Sequence, residues 1–206
     1  MGKCILFVLV FFQVSNAFPQ TYPDNWKFFK ESNHISVYYR TNEKPTIKEL
    51  RLTTTINAPV PTVEAIITNV DILKSWGYAC LESKLLKKVG PGELYYYYAV
   101  DVPWPVSDRD VVINMKIKHD SISGITHINS RNFVGFIPEK EDRIRVKYVR
   151  AHWKLSPVKK GLMQLDFTIE SDLGANFPDW IVNYAMSYSP IKSITALKKM
   201  AEKQGN

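Results

Sequence analysis

The stretch DVPWPVSDRDVVINMKIKH, Asp101 to His119, holds two different instructions in nineteen residues. Its first half is a stiffened loop: Pro103 and Pro105 bracket Trp104 and fix the backbone on either side of it. Its second half alternates. Val111, Ile113, Met115 and Ile117 fall on one face of an extended chain, and Asn114, Lys116 and Lys118 on the other. A strand with one dry and one wet face belongs to an antiparallel sheet whose dry face is covered by something else. Between the halves sits Asp108-Arg109-Asp110. Arg109 has the parity of Val111 and Met115, so it points inward, and a buried charge must be paired or it costs several kcal/mol. Asp108 and Asp110 are the expected partners, anchoring Arg109 where the strand begins.

The same pattern extends in both directions. Met163, Leu165, Phe167 and Ile169 alternate with Gln164, Asp166, Thr168 and Glu170. Further strands are expected at His34–Arg40, Ile47–Ile56, Cys80–Val89, Glu93–Val102, Gly124–Asn132, Arg143–Leu155 and Gly161–Asp172, separated by turn residues such as GPGE at 90–93 and PEKED at 138–142. Three helices are expected. DNWKFFKES (Asp24–Ser32) has Asp24 as a cap. Ala58–Trp76 spaces Val63, Ile66, Ile67, Val70 and Leu73 by threes and fours. From Phe177 to Glu202 a long apolar stripe includes Ile181, Tyr184, Tyr188, Ile191, Ile194 and Leu197, with a kink or brief break expected at Pro190. Two strands, a helix, six strands and a long amphipathic helix define an α+β fold in which a strongly curved antiparallel sheet covers one C-terminal helix. No linker or repeat divides the chain, so one domain is expected at 18–206.

The N-terminus is expected to be removed. MGKCILFVLVFFQVSNAF has a basic Lys3, an apolar run from Ile5 to Phe12 and small residues before Ala17. That is a secretory signal peptide over residues 1–17, with cleavage after Ala17 and a secreted or periplasmic product. The remaining 189 residues (206 − 17) carry a charge of +6 (7 − 1). Cys4 leaves with the leader, and Cys80 alone cannot form an internal disulfide. Such a domain relies on its core.

PWPVSDRDVV (Pro103–Val112), YVRAHWKLSP (Tyr148–Pro157) and SDLGANFPDWIVNYAMSYSPIKSITALKKM (Ser171–Met200), in this order, resemble the START family, the lipid-transfer domains related to the steroidogenic acute regulatory protein. The likeness spans nearly the whole mature chain and is that of a secreted, bacterial-type, single-domain member. It implies a helix-grip fold around a hydrophobic tunnel for one lipid, with the C-terminal helix and nearby loops as a lid. Some family members bury an acid–base pair in the tunnel. Here Met115 stands six residues after Arg109 where a second arginine would be expected, which implies a drier tunnel.

On this reading Tyr96, Tyr98, Val111, Ile113, Met115, Met163, Leu165, Phe167, Tyr184 and Tyr188 are expected to line the cavity, and Trp104, Asp108, Arg109 and Asp110 to form its mouth. The work is physical: one lipid ligand, transient contact with a membrane, a monomer, no cofactor and no catalytic residue. Two rivals share the fold: a cyclase/aromatase-like enzyme, and an interaction module whose cavity is filled by side chains. His34, His119, His127 and His152 fall on separate predicted strands without metal-ligand spacing, and no nucleotide- or nucleic-acid-binding motif occurs.

Overall fold

The computed structural model describes residues 25–41, 47–172, 180, 184 and 188–205. The leader at 1–17, Asp24 and most of the segment from Phe177 to Ser187 lie outside the described residues. The strands are β1 (Lys27–Ser32), β2 (Ile35–Thr41), β3 (Ile47–Ile56), β4 (Cys80–Gly90), β5 (Glu93–Val100), β6 (Arg109–His119), β7 (Thr126–Asn132), β8 (Ile144–Arg145), β9 (Val149–Lys159) and β10 (Leu162–Asp172). The helices are α1 (Val60–Thr68), α2 (Leu73–Trp76) and α3 (Ser189–Gly205). Nine strands form one antiparallel sheet in the order β1-β2-β3-β10-β9-β7-β6-β5-β4, and β8 joins it as a two-residue parallel pair with β6.

The register explains how the sheet makes an interior. Cross-strand rows repeat every second residue, and alternate rows face the helices. One inner row is Leu94, Met115, Ser130, Ala151, Ile169 and Leu50. The next is Ile117, Ile128, Trp153, Phe167, Leu52 and Val37. Helix α3 lays Ile191, Ile194, Leu197 and Ala201 against this face, in contact with α1, α2, β2 and β3. It is pinned at both ends. Tyr78 N donates to Ser193 Oγ at 3.0 Å near its start, and Asn57 N and Nδ2 donate to Glu202 Oε1 at 3.2 and 3.3 Å near its end.

Four local expectations are corrected. Residues 27–32 form a strand, not a helix: Asn33 and His34 both take left-handed backbone (φ +55° and +58°), a two-residue hairpin turn that folds β1 onto β2. Phe28 and Phe29 then pack edge-on against Tyr38 and Tyr39. The helix expected over Ala58–Trp76 is broken after Thr68, because Asn69 leaves helical geometry (φ −86°, ψ 97°) and its side chain accepts from Asp71 N to cap a 3-10 turn at Val70–Ile72. The strand expected over Arg143–Leu155 is split into β8 and β9. Pro190 is the second residue of α3, and most of the segment before it lies outside the described residues.

The fourth correction concerns the outer face of the sheet, expected to be wet. Asp110, Val112 and Asn114 on β6 are as buried as the inward residues beside them. The segment from Phe133 to Val146, between β7 and β9, crosses this face. Phe133 and Phe136 pack on Tyr95, and Ile137 closes a small second core with Tyr97, Ala99 and Val112.

Candidate functional site

An apolar cavity of about 330 Å³ lies between the sheet and α3. Its wall follows from the rows: Tyr96 and Tyr98 from β5, Val111 and Ile113 from β6, Ala151 and Trp153 from β9, Phe167 and Ile169 from β10, closed by Trp76 and by Pro190, Ser193 and Ile194 of α3. Its lining reaches the end of the sheet where β6 begins and β10 finishes, with Val100, Arg109 and Ser171. Toward the other end, Leu197 and Ala201 reach the sheet fully buried and leave no space. This decides which sequence-predicted lining residues are on the wall. Tyr96, Tyr98, Val111, Ile113 and Phe167 are. Met163 and Leu165 share their face but sit in rows farther along the sheet, and Met115 shares the row of Ala151 and Ile169 without reaching the wall; all three are packed into the main core. Tyr184 and Tyr188 are not on the wall either. They stack on each other at 5.6 Å and meet the Tyr78 ring tilted at 6.2 Å and edge-on at 5.5 Å, respectively, and Tyr188 is exposed.

The wall is dry but not devoid of polar atoms. Burial pushes the Tyr96 and Tyr98 hydroxyls well above the usual phenol range, so both stay neutral donors. Trp76 Nε1 and Ser130 Oγ are buried in the wall without a hydrogen-bond partner among the described residues. Arg109 is the only cation among the described lining residues. Its guanidinium donates to the Ser107 carbonyl. Burial pulls its pKa down and the Asp108 charge partly restores it.

The three charges that open β6 go three ways, as strand alternation requires. Arg109 faces the cavity. Asp108 Oδ1 accepts from Val102 N at 3.1 Å and ties the neck of the loop that carries Trp104, which is 88% exposed. Asp110 points through the opposite face and does not hold Arg109, correcting the expected pairing. Arg145 grips it with both arms of its guanidinium, Nε to Oδ1 at 2.7 Å and Nη2 to Oδ2 at 3.1 Å, and Tyr97 donates to Oδ2 at 3.0 Å. Arg143 Nη1 bridges the Tyr97 hydroxyl and Glu82 Oε2, each at 3.0 Å, and Lys140 also reaches Glu82 at 3.1 Å. Backbone bonds from Ile144 N to Asp108 O and from Val146 N to Asp110 O complete a strap across the back of the cavity wall. Nothing in the spacing of Arg143 and Arg145 announced this. The signal was only the excess of charge from Glu139 to Arg145, across a segment read as a turn and the start of a strand.

Sequence reasoning also missed a histidine contact. His127 Nδ1 and His152 Nε2 are 3.0 Å apart on the outer face. Burial, followed by the His127 charge, pulls the His152 pKa down. Among the described residues no group of three or more His, Cys, Asp or Glu side chains could hold a metal ion, and no helix is long and apolar enough to cross a membrane.

An open, curved antiparallel sheet that grips a C-terminal helix over an apolar cavity is the helix-grip architecture. The START domain model matches residues 13–205, and the chain belongs to the START family. It is 31% identical to an uncharacterized protein of Pseudomonas aeruginosa over 97% of this chain and 96% of that one. It is 25% identical to the phosphatidylcholine transfer protein of Rattus norvegicus over 78% and 76% of the two chains. In three dimensions it is similar to a STAR-related lipid transfer protein of Xanthomonas axonopodis, with a TM-score of 0.77 at 23% identity, covering 85% of this chain and 98% of that one. A Streptomyces aromatase/cyclase shares the fold at 13% identity, with a TM-score of 0.56 over 78% and 96% of the chains.

Proposed function

We propose that this protein binds a single lipid between the sheet and α3 and carries it between membranes. The observation that carries the reading is the apolar cavity itself, with Arg109 as the one cation among its described lining residues. About ten methylenes buried there would supply about 8 kcal/mol, on the scale of micromolar affinity before ordering costs. The chain end of the ligand would rest against Trp153 and Phe167. A carboxylate or phosphate head would meet Arg109. The neutral Tyr96 and Tyr98 hydroxyls suit an ester or acid carbonyl on the way.

Transfer needs no bond to be made or broken, so the protein acts as a carrier and not as an enzyme. What supports this over the cyclase-like reading is the wall's shortage of convergent ionisable groups: Asp110 is committed to Arg145 and Tyr97, and both tyrosines are held neutral. The leader over residues 1–17 would place this carrier outside the cytoplasm, secreted or periplasmic, as a monomer.

Native mass spectrometry of the mature protein purified from its own host tests the reading. One lipid mass per chain is expected. Ala151→Trp, which puts a large ring into the space from the middle of the wall, should fold at a cost of about 1–3 kcal/mol and come out empty. The reading is wrong if the wild type carries no lipid and takes none from vesicles, or if Ala151→Trp loads as well as the wild type.

Trp104 is the proposed membrane contact, since indole favours the boundary between water and lipid. A tryptophan buries roughly 150–250 Å², so even partial insertion contributes more than 1 kcal/mol. Trp104→Ala should slow lipid transfer between vesicles by about tenfold while leaving the amount of lipid bound at equilibrium unchanged. A transfer rate equal to that of the wild type would remove Trp104 from the docking step.

A further inference from the structure

The outer face of the sheet holds a second concavity, of about 530 Å³, separated from the apolar cavity by the sheet. Its base is one cross-strand row: Asn114 on β6, Arg131 on β7, Arg150 on β9, Glu170 on β10, Glu49 on β3 and Arg40 on β2. Lys116, Asn129, His152 and Thr168 line it from the neighbouring row.

The order of charges along this row is unusual. Arg131 and Arg150 are directly opposite across the β7–β9 pair, on the same face, and both are exposed. Like charges in that position destabilise a sheet. Of the acids in the cleft, Glu170 stands directly across the β9–β10 pair from Arg150, and none stands across from Arg131. Glu49 pairs with Arg40 at 2.5 Å, and Glu93, beyond the rim, takes Asn114 at 2.8 Å and Lys116 at 3.4 Å. Arg150 lies over the Tyr148 ring at 5.4 Å. Arg131 has no ion pair or side-chain hydrogen bond among the described residues. A repulsive arginine pair in a concave polar site, with amide and imidazole groups beside it, is the arrangement that a tetrahedral oxyanion completes. Two guanidiniums offer paired N–H donors that match its oxygens, and the anion cancels their repulsion.

We infer that this cleft is a binding site for a phosphate-type oxyanion, held chiefly between Arg131 and Arg150. The anion is either a free phosphate or the phosphate of a lipid headgroup. The row lies within two residues of the ends of β7, β9 and β10 at the end of the sheet where Arg109 lies, so the headgroup of a membrane lipid at that end reaches it from outside the sheet. The site is independent of lipid binding in the apolar cavity, because no wall residue of that cavity needs to change for it to operate.

The test uses the mature protein, the variants Arg131→Gln, Arg150→Gln and both together, and Lys159→Gln as a charge-matched control on an exposed strand end. Inorganic phosphate is titrated by calorimetry and by melting temperature, with chloride keeping ionic strength constant. Binding to vesicles of phosphatidylglycerol and phosphatidylcholine is compared with binding to phosphatidylcholine alone. The wild type and Lys159→Gln should bind phosphate saturably, and each arginine variant should lose at least about tenfold in affinity, the loss of one charge-assisted contact. In chloride the arginine variants should melt at or above the wild-type temperature, because repulsion is relieved, whereas a structural arginine would leave them less stable. If phosphatidylglycerol vesicles show the same loss, the anion is a headgroup. If only free phosphate does, it is a soluble ion. The inference is overturned if the wild type binds neither probe, or if the double variant binds both like the wild type. It is equally overturned if the double variant melts lower in chloride and keeps the full phosphate shift. Loading of lipid in the apolar cavity should be the same in all variants, so the two sites fail or stand separately.

Discussion

Asp110→Ala should lower the free energy of unfolding by about 3–5 kcal/mol, the usual cost of removing one partner from a buried ion pair. The carboxylate is fully buried, and the Arg145 side chain is only 11% exposed. Its removal leaves the guanidinium with only the Ile137 and Pro138 carbonyls as partners and no opposite charge, and takes from the Tyr97 hydroxyl its acceptor. Tyr97 and Val112, both fully buried, are roofed by the same strap, so packing loosens with the charge. Asp110→Asn should cost less, because the amide oxygen still accepts one of the bonds. Limited proteolysis offers a local readout: residues 133–146 should be cut in Asp110→Ala before the sheet unfolds.

The pH dependence has a definite sign. Burial alone would raise the Asp110 pKa, but the hydrogen bonds from Arg145 and Tyr97 outweigh it and hold the carboxyl below the usual carboxylate range. The folded state therefore binds the proton less readily than the unfolded chain. The stability this contributes is fully present above the unfolded value near 3.9 and is lost as pH falls through the depressed folded value. Glu82 and Glu93 are depressed as well, so the useful quantity is the difference between wild type and variant. Urea unfolding at neutral pH and near pH 3 should give a large difference at the first and a smaller one at the second. A neutral-pH difference under about 1 kcal/mol would mean that the strap contributes little to the fold.

What could be read from the sequence were the features written in local period. The spans Ile47–Ile56 and Arg109–His119 are found as strands at the expected bounds, because each repeats every second residue with turn chemistry at its ends. What could not be read was anything set by a distant element. Phe28 and Phe29 have no period that distinguishes a short strand from a helix, and the hairpin turn beside them uses Asn33-His34 without a glycine to mark it. Asp110 and Val112 sit at positions that ought to face water. They are buried only because a segment more than twenty residues later returns over them. Arg109 and Asp110 are adjacent in sequence, which suggested a pair, yet strand geometry sends adjacent side chains to opposite faces. Likewise the alternation of β10 showed that Met163, Leu165 and Phe167 share a face. Which of them touches open space depends on where α3 comes down, and that is a fact about the helix.

That dependence makes Trp153→Ala the most informative change inside the molecule. Trp153 belongs to the inner row Ile128, Trp153, Phe167 and Leu52, at the boundary between the cavity and the filled part of the core. Its ring lies 4.0 Å from that of Phe167 and 6.2 Å from that of Trp76, edge-on to the latter. It thereby joins two strands to α2. Truncation to alanine should cost about 3–5 kcal/mol, measured by urea unfolding, with Trp153→Phe closer to neutral because most of the ring contact remains. The two consequences of the deletion point in opposite directions for function. The lost ring lowers stability, but the space it leaves is continuous with the cavity, not sealed in the core. On the lipid-carrier reading, Trp153→Ala should therefore carry a longer chain than the wild type when both are loaded from the same mixed-length vesicles, and the bound ligand should recover part of the lost stability through linkage. Neighbouring side chains could instead collapse into the gap, in which case the chain-length distribution stays as in the wild type and only stability falls. That outcome would show that the inner end of the cavity is set by the core behind Trp153, with Ile128 and Leu52, and not by the tryptophan itself.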